Sequence, residues 1–184
     1  SGAYRMADLL NDTVGMWTFG GKSGKIGKSR PNTYTKRNVI GGFGTGTGDI
    51  AKWLNIVREV KKAIAAQHPG YSQSKYIKIT VGGKTLSVRT DCSGYVGACL
   101  KYFGVLNDST NITSITITDR NNSTMKSTGF TPGGWPGWDA LQEGDILALN
   151  GHTEIFAYNK DGKHYVYNCG SDSSTNSAVP TVTG

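Results

Sequence analysis

Long apolar runs are missing from this sequence of 184 residues, and none approaches the roughly 20 residues that a helix needs to span a membrane. The three cysteines contain no C-x-x-C pair, which argues against a structural zinc site. The sequence also lacks zinc-finger spacing and basic stretches interleaved with aromatics, so nothing favours specific nucleic-acid binding. Only three histidines are present. We therefore expect no membrane span, no metal and no cofactor.

The net charge of +7 is unevenly placed, because residues 1–48 hold seven Lys or Arg against two Asp and also contain eleven of the 26 glycines. A basic segment favours polyanions such as the teichoic acids of a cell wall, although a solvated arm has the same composition. Its glycine-rich end lacks both nucleotide-loop motifs, which favours a linker. We predict a basic, glycine-rich N-terminal segment or linker over 1–48 and a catalytic domain over 49–184.

The periodicity beyond residue 48 predicts an α+β domain. A helix of roughly 18 residues begins at Asp49, a hairpin turns at Gly82-Gly83, and a second helix begins at Cys92. Residues 107–140 are polar and turn-rich, and we predict a loop there with one short strand over 115–118. Three strands follow, over 145–149, 153–158 and 164–169, and predict an antiparallel sheet.

Cys92 is the cysteine best placed for chemistry, because it begins an apolar-striped helix after a polar turn. A helix N-terminus favours thiolate over thiol, and its unpaired backbone N–H groups can hold an oxyanion. Cys99 lies on the apolar stripe and fits an ordinary buried cysteine. Of the histidines, His68 is placed at a helix end and His164 after a turn. His152 opens a strand and is the best base for Cys92.

These two residues lie within motifs that together resemble the NlpC family of cell-wall cysteine peptidases. Residues 91–95 (Asp-Cys-Ser-Gly-Tyr) resemble its nucleophile motif. Sixty residues further along, residues 141–155 (Leu-x-x-Gly-Asp-Ile to Gly-His-Thr-Glu-Ile) resemble its Gly-Asp strand and its base-histidine strand. The resemblance covers roughly residues 50–172 and leaves residues 1–48 outside.

The resemblance implies a circularly permuted papain-like fold, with the nucleophile helix packed on an antiparallel sheet. It also implies a peptidoglycan hydrolase that cleaves an amide bond of the stem peptide, typically as an endopeptidase next to D-glutamate, acting outside the cell or as part of a virion. Alternatives are an N-acetylmuramoyl-L-alanine amidase of the related CHAP type, a non-catalytic wall-binding or virion structural module, and a transferase or deamidase acting on host protein. The first residues resemble neither a signal peptide nor a natural start, so we expect a piece of a longer protein.

Further candidate residues follow from the same comparison. Ser93 and Asp91 are candidates for oxyanion or substrate binding beside the thiol. The family often has a substrate-binding Tyr shortly before the nucleophile, and Tyr71 and Tyr76 compete for that role. Trp135, with Trp138, is either a groove residue for sugar or peptide or ordinary packing.

The third catalytic role falls to Asn168 or His164, both on the last predicted strand. An antiparallel pair with Tyr158 opposite His164 puts Glu154 opposite Asn168 and leaves His164 about 20 Å from His152. We therefore predict that the amide oxygen of Asn168 accepts the imidazole N–H.

Overall fold

The computed structural model describes residues 13–18, 47–119, 121–133, 137–149, 151–169 and 181–182. The chain is mixed α+β, as predicted. The helices of these ranges are α1 Thr47–Ala66, α2 Cys92–Phe103, the short α3 Ser114–Thr118 and α4 Ser123–Ser127, and a 3₁₀ turn Trp138–Ala140. None of them combines the length and the apolar character that crossing a membrane requires.

The strands form two antiparallel sheets. They are β1 Thr13–Thr18, β2 Tyr76–Val81, β3 Lys84–Arg89, β4 Thr131–Gly133, β5 Ile146–Leu149, β6 His152–Lys160, β7 Lys163–Tyr167 and β8 Thr181–Val182. Six of them make one sheet in the order β4-β1-β5-β6-β7-β8, and β2 and β3 pair separately as a hairpin. The predicted hairpin and the three C-terminal strands are confirmed, with ends that differ by one or two residues.

Helix α1 is amphipathic and packs its apolar stripe against α2. Trp53, Val57 and Val60 are fully buried within the main core. The indole of Trp53 donates to the carbonyl of Gly144 at 3.0 Å, which ties the helix to the turn before β5. The helix begins at Thr47, two residues before the predicted start at Asp49. Asp49 therefore lies in the first turn.

Residues 115–118 correct one prediction, because they belong to helix α3 rather than to a strand. The alternation of Ile and Thr is typical of a strand, but a capping box between Thr113 and Thr116 starts a helical turn there. Ile117 is buried on the inner side of this helix, whereas Ile115 is exposed. Local capping and one buried contact outweigh the β propensity of this segment.

The large sheet is covered on both faces, because consecutive residues of its strands enter different clusters. Ile146, Ile155 and Tyr167 belong to the main core, whereas Phe156 and Val166 join a smaller cluster with Trp138, Leu141 and Leu147. The sheet is thus a central layer, and β6 lies in its interior between β5 and β7.

The predicted division of the chain at residue 48 stays a prediction. Thr13–Thr18 lies on its N-terminal side, yet it pairs with β4 and β5 inside the large sheet. The other residues before Thr47 lie outside the described part of the chain. At least this strand therefore belongs to the domain's sheet.

Candidate active site

The site is built first from the start of helix α2, where Cys92 is the first helical residue. Asp91 is the N-cap, and its Oδ1 accepts from the backbone N–H of Gly94 at 2.9 Å. This bond satisfies one of the N–H groups that a helix start leaves without an intrahelical partner. Asp91 thus has a structural role beside the thiol, and the positive end of the helix points at residue 92.

Arg89 fixes this helix start to the end of the hairpin. Its Nε donates to Asp91 Oδ1 at 2.7 Å, and its Nη2 donates to Ser93 Oγ at 2.8 Å. Gly94 fits because a side chain there would overlap the carbonyl oxygen of Arg89. The hydroxyl of Ser93 is therefore engaged in the scaffold, and only its backbone N–H is a candidate for oxyanion binding.

His152 is the second member, and the structure brings it against Cys92 from the start of β6. Both residues are 5% exposed. Burial acts to lower the pKa of His152, but hydrogen bonds with Cys92 and Glu154 outweigh burial and raise the pKa to about 9. The imidazole therefore holds a proton at neutral pH.

Glu154 is a third member that the sequence analysis missed. Its Oε2 lies 3.4 Å from His152 Nε2, and its side chain is fully buried. Residues two apart on a strand share a face, so the His-x-Glu spacing at 152–154 was the available signal. That pairing is also an ion contact when His152 is protonated.

The structure contradicts the predicted hydrogen bond from the imidazole of His152 to the amide oxygen of Asn168. Its Nδ2 donates to Glu154 Oε2 at 3.3 Å, whereas its Oδ1 has no hydrogen-bond partner among the described residues. The expected bond from the imidazole to this amide oxygen is therefore not made. Asn168 is 5% exposed. Its amide binds the carboxylate of Glu154, which in turn contacts the imidazole of His152.

The strand register explains why Asn168 still reaches the site. Near the turn, His164 lies opposite Asn159, one residue away from the predicted partner. A bulge between Phe156 and Tyr158 restores the predicted register, so that Ile155 pairs with Tyr167 and Asn168 follows beside Glu154. The short turn alone does not reveal this bulge.

His164 lies away from His152, at the far end of the β6–β7 pair. Its ring stacks on Trp138 with centroids 4.1 Å apart, and its Nδ1 lies 2.7 Å from Asn159 Oδ1. Asn159 is the seventh residue after His152 along β6, which is about 23 Å at strand rise. Trp138 is 7% exposed, so it packs against the sheet rather than forming an open groove. Trp135 lies outside the described residues.

Tyr71 lies near the thiol and lines a cavity on the hairpin side of it. Burial raises the pKa of its hydroxyl, opposed by a hydrogen bond from Gln73 and increased by the nearby Cys92 and Asp91. The cavity has a volume of about 390 Å³, and its lining includes Tyr71, Lys75, Tyr76 and Thr90. Tyr76 is 48% exposed and contributes a second aromatic wall.

A larger groove of about 820 Å³ lies between α1 and the hairpin. Tyr102, on its wall, is ten residues from Cys92 along α2, or about 15 Å. The groove is therefore separate from the Cys92–His152 pair. The smaller cavity comes nearer to it along the chain, because its lining includes Thr90, two residues before Cys92, although neither Cys92 nor His152 lines it.

The remaining cysteines, Cys99 and Cys169, are buried. Burial raises the pKa of the Cys99 thiol strongly, as expected for a core cysteine. The thiol of Cys169 donates to the carbonyl of Thr90 at 3.2 Å. Within the described ranges no group of three His, Cys, Asp or Glu side chains is arranged to hold a metal ion.

Comparison with known proteins finds no matching family model, no matching curated protein and no matching solved structure.

Proposed function

We propose that this domain is a peptidoglycan hydrolase that uses Cys92 as nucleophile and His152 as acid and base. The observation that carries the proposal is the buried contact between Cys92, at the positive end of α2, and His152, whose pKa is raised to about 9. A core cysteine needs no such partner, and the contrast with Cys99 lies within the same helix.

The first step is attack by the Cys92 thiolate on the carbonyl carbon of a scissile amide. A sulfur–carbon bond forms while the carbonyl π electrons move to oxygen. Backbone N–H groups at the start of α2, those of Cys92 and Ser93, are the donors for this oxyanion. Gly94 N–H is not available for it, because Asp91 accepts that proton.

The intermediate then collapses, the carbon–nitrogen bond breaks, and His152 gives its proton to the leaving amine. The neutral imidazole next takes a proton from water, whose oxygen attacks the thioester and releases the acid and the Cys92 thiolate. Glu154 orients the imidazole and stabilises its protonated form in both half-reactions. Asn168 acts on Glu154 and not on the reacting atoms.

The cavity beside Tyr71 is the proposed substrate site. Tyr71 and Tyr76 offer aromatic walls, and Lys75 supplies a cation. D-glutamate in a stem peptide is linked through its side chain and keeps a free carboxylate. Pairing of that carboxylate with Lys75 would favour an endopeptidase that cuts next to D-glutamate.

The proposed fold is the circularly permuted papain-like one, with α2 as nucleophile helix on the antiparallel sheet. Contacts between α2 and β6 and the order α1, hairpin, α2 and then strands β5 to β7 of the large sheet support it. We further propose that the domain acts on the bacterial wall from outside the cell or as part of a virion, where anionic wall polymers can attract its positive charge.

The test is to incubate the full chain with purified peptidoglycan and to identify the released fragments by mass spectrometry. New amine and carboxyl ends within the stem peptide are expected from wild type, and Cys92→Ala is expected to release none. Fragments cut between muramic acid and L-alanine would assign the amidase alternative. Equal release by wild type and Cys92→Ala, or none by either, would refute the hydrolase.

A further inference from the structure

Lys61 is a buried cation that the proposed chemistry does not yet use. It is 1% exposed, on the inner side of α1. Its Nζ donates to the backbone carbonyl of Asn168 at 2.5 Å and lies 5.9 Å from the ring centroid of Tyr95. No carboxylate lies within ion-pair distance of it among the described residues.

Such a position is unfavourable for stability. Removing an ammonium from water costs several kcal/mol, and one carbonyl acceptor returns only part of it. Burial accordingly lowers the pKa of Lys61 to about 8, opposed by the nearby Cys169 and Cys99. A methionine of similar length would occupy the same space without this cost. The cation is thus better explained by where its hydrogen bond goes.

That hydrogen bond ends on the main chain next to the site. The β6–β7 pairing ends at Tyr167, so Asn168 follows immediately after the last paired residue. Beyond that point the chain is held by side chains: Lys61 on the Asn168 carbonyl, and the Cys169 thiol on the Thr90 carbonyl. The amide of Asn168 then reaches Glu154, which contacts His152.

We propose that Lys61 is a positioning residue for the Cys92–His152 pair. By holding the Asn168 carbonyl, it keeps the Asn168 amide on Glu154 and so keeps the imidazole aligned with the thiol. Lys61 touches none of the reacting atoms and acts only through these residues. The hydrolysis readout of this inference rests on the proposed function, whereas its thiol-reactivity readout does not.

The experiment compares Lys61→Met with Lys101→Met in the full chain. Lys101 is a matched control, since it is 8% exposed on α2 and its pKa is also lowered by burial, but it is nine residues, or about 14 Å, from Cys92 along the helix. The measurements are the rate of iodoacetamide labelling at Cys92, resolved by peptide mass, the rate of peptidoglycan hydrolysis, and the melting temperature.

For Lys61→Met we expect labelling and hydrolysis to fall about tenfold, the order seen when an outer partner of a site residue is lost. The melting temperature should stay or rise, because an apolar side chain replaces a buried charge. Lys101→Met should leave both rates unchanged. A fall in both rates together with a large fall in melting temperature would assign Lys61 a merely structural role and overturn the inference.

A double variant tests whether Lys61 acts through Asn168. If it does, adding Lys61→Met to Asn168→Ala should lower the rates no further than Asn168→Ala alone. Losses that multiply would overturn the inference. If wild type hydrolyses no peptidoglycan, the proposed function fails while labelling still decides the role of Lys61. If wild type hydrolyses it and Lys61→Met labels normally, only the role of Lys61 fails.

Discussion

The raised pKa of His152 predicts a specific dependence of stability on pH. The imidazole binds its proton more tightly in the folded protein, with a pKa of about 9, than in the unfolded chain, where the ordinary value is 6.5. At about 1.4 kcal/mol per pH unit of difference, the protonated contact contributes on the order of 3 kcal/mol to the free energy of unfolding. That contribution is fully present below pH 6.5 and is lost as pH rises through 9.

The titration of Lys61 limits the pH range over which the effect of His152 on stability can be measured. The pKa of Lys61 is lowered from 10.5 to about 8, so the folded protein releases this proton before the unfolded chain does. Stability therefore gains from Lys61 between pH 8 and 10.5, in the opposite direction to His152. Between pH 6.5 and 8 the free energy of unfolding should fall by about 1 kcal/mol, because the loss from His152 is partly offset by Lys61, which is already half titrated at pH 8.

The assay is urea denaturation at pH 6.5 and at pH 8.0 for wild type, His152→Gln and Cys92→Ala. Wild type should lose about 1 kcal/mol of unfolding free energy between the two pH values, and His152→Gln should lose none of it. Cys92→Ala should lose less than wild type, because one of the two hydrogen bonds that raise the His152 pKa is gone. The same loss in wild type and His152→Gln would refute the reasoning.

Further outcomes follow from burial and register. Cys92→Ala should abolish release of peptidoglycan fragments while the protein still folds, whereas Cys99→Ala should lower the unfolding free energy by roughly 1 kcal/mol, measured in urea. Asn168→Ala should lower the turnover number about tenfold and His164→Ala should not, since only the first reaches Glu154; the reverse ranking would contradict the observed register. Deleting residues 1–48 should lower the melting temperature more than deleting 1–12, because only the longer deletion removes a strand between two neighbours; equal melting temperatures would mean that β1 contributes nothing.

Much of the fold could be predicted because its signals are local. The turn at Gly82-Gly83 and the end of the helix at Gly104 are marked by glycines, which tolerate positive φ, and all three adopt it. Cys92 and His152 could be singled out because this sequence has few cysteines at a predicted helix start and few histidines at a predicted strand start.

What escaped prediction depends on long-range geometry. The bulge in β6 shifts the register near His164 and restores it near Asn168, and no turn residue marks it. Glu154 was missed because a carboxylate alternating with buried residues on a strand resembles an exposed position. The burial of Glu154 can be recognised only from the structure, where Asn168 and His152 lie beside it.

The separation of Cys92 from His152 along the chain has a consequence for synthesis. Sixty residues must follow the cysteine before its partner exists, and the pairing of β6 with β5 and β7 must form before the partner is in place. Contacts of such high sequence separation form late, once the loop between them has closed. In a nascent or unfolded chain, Cys92 therefore has no contact with His152 and does not differ from the other two cysteines in this respect. The pair forms only when the domain has folded.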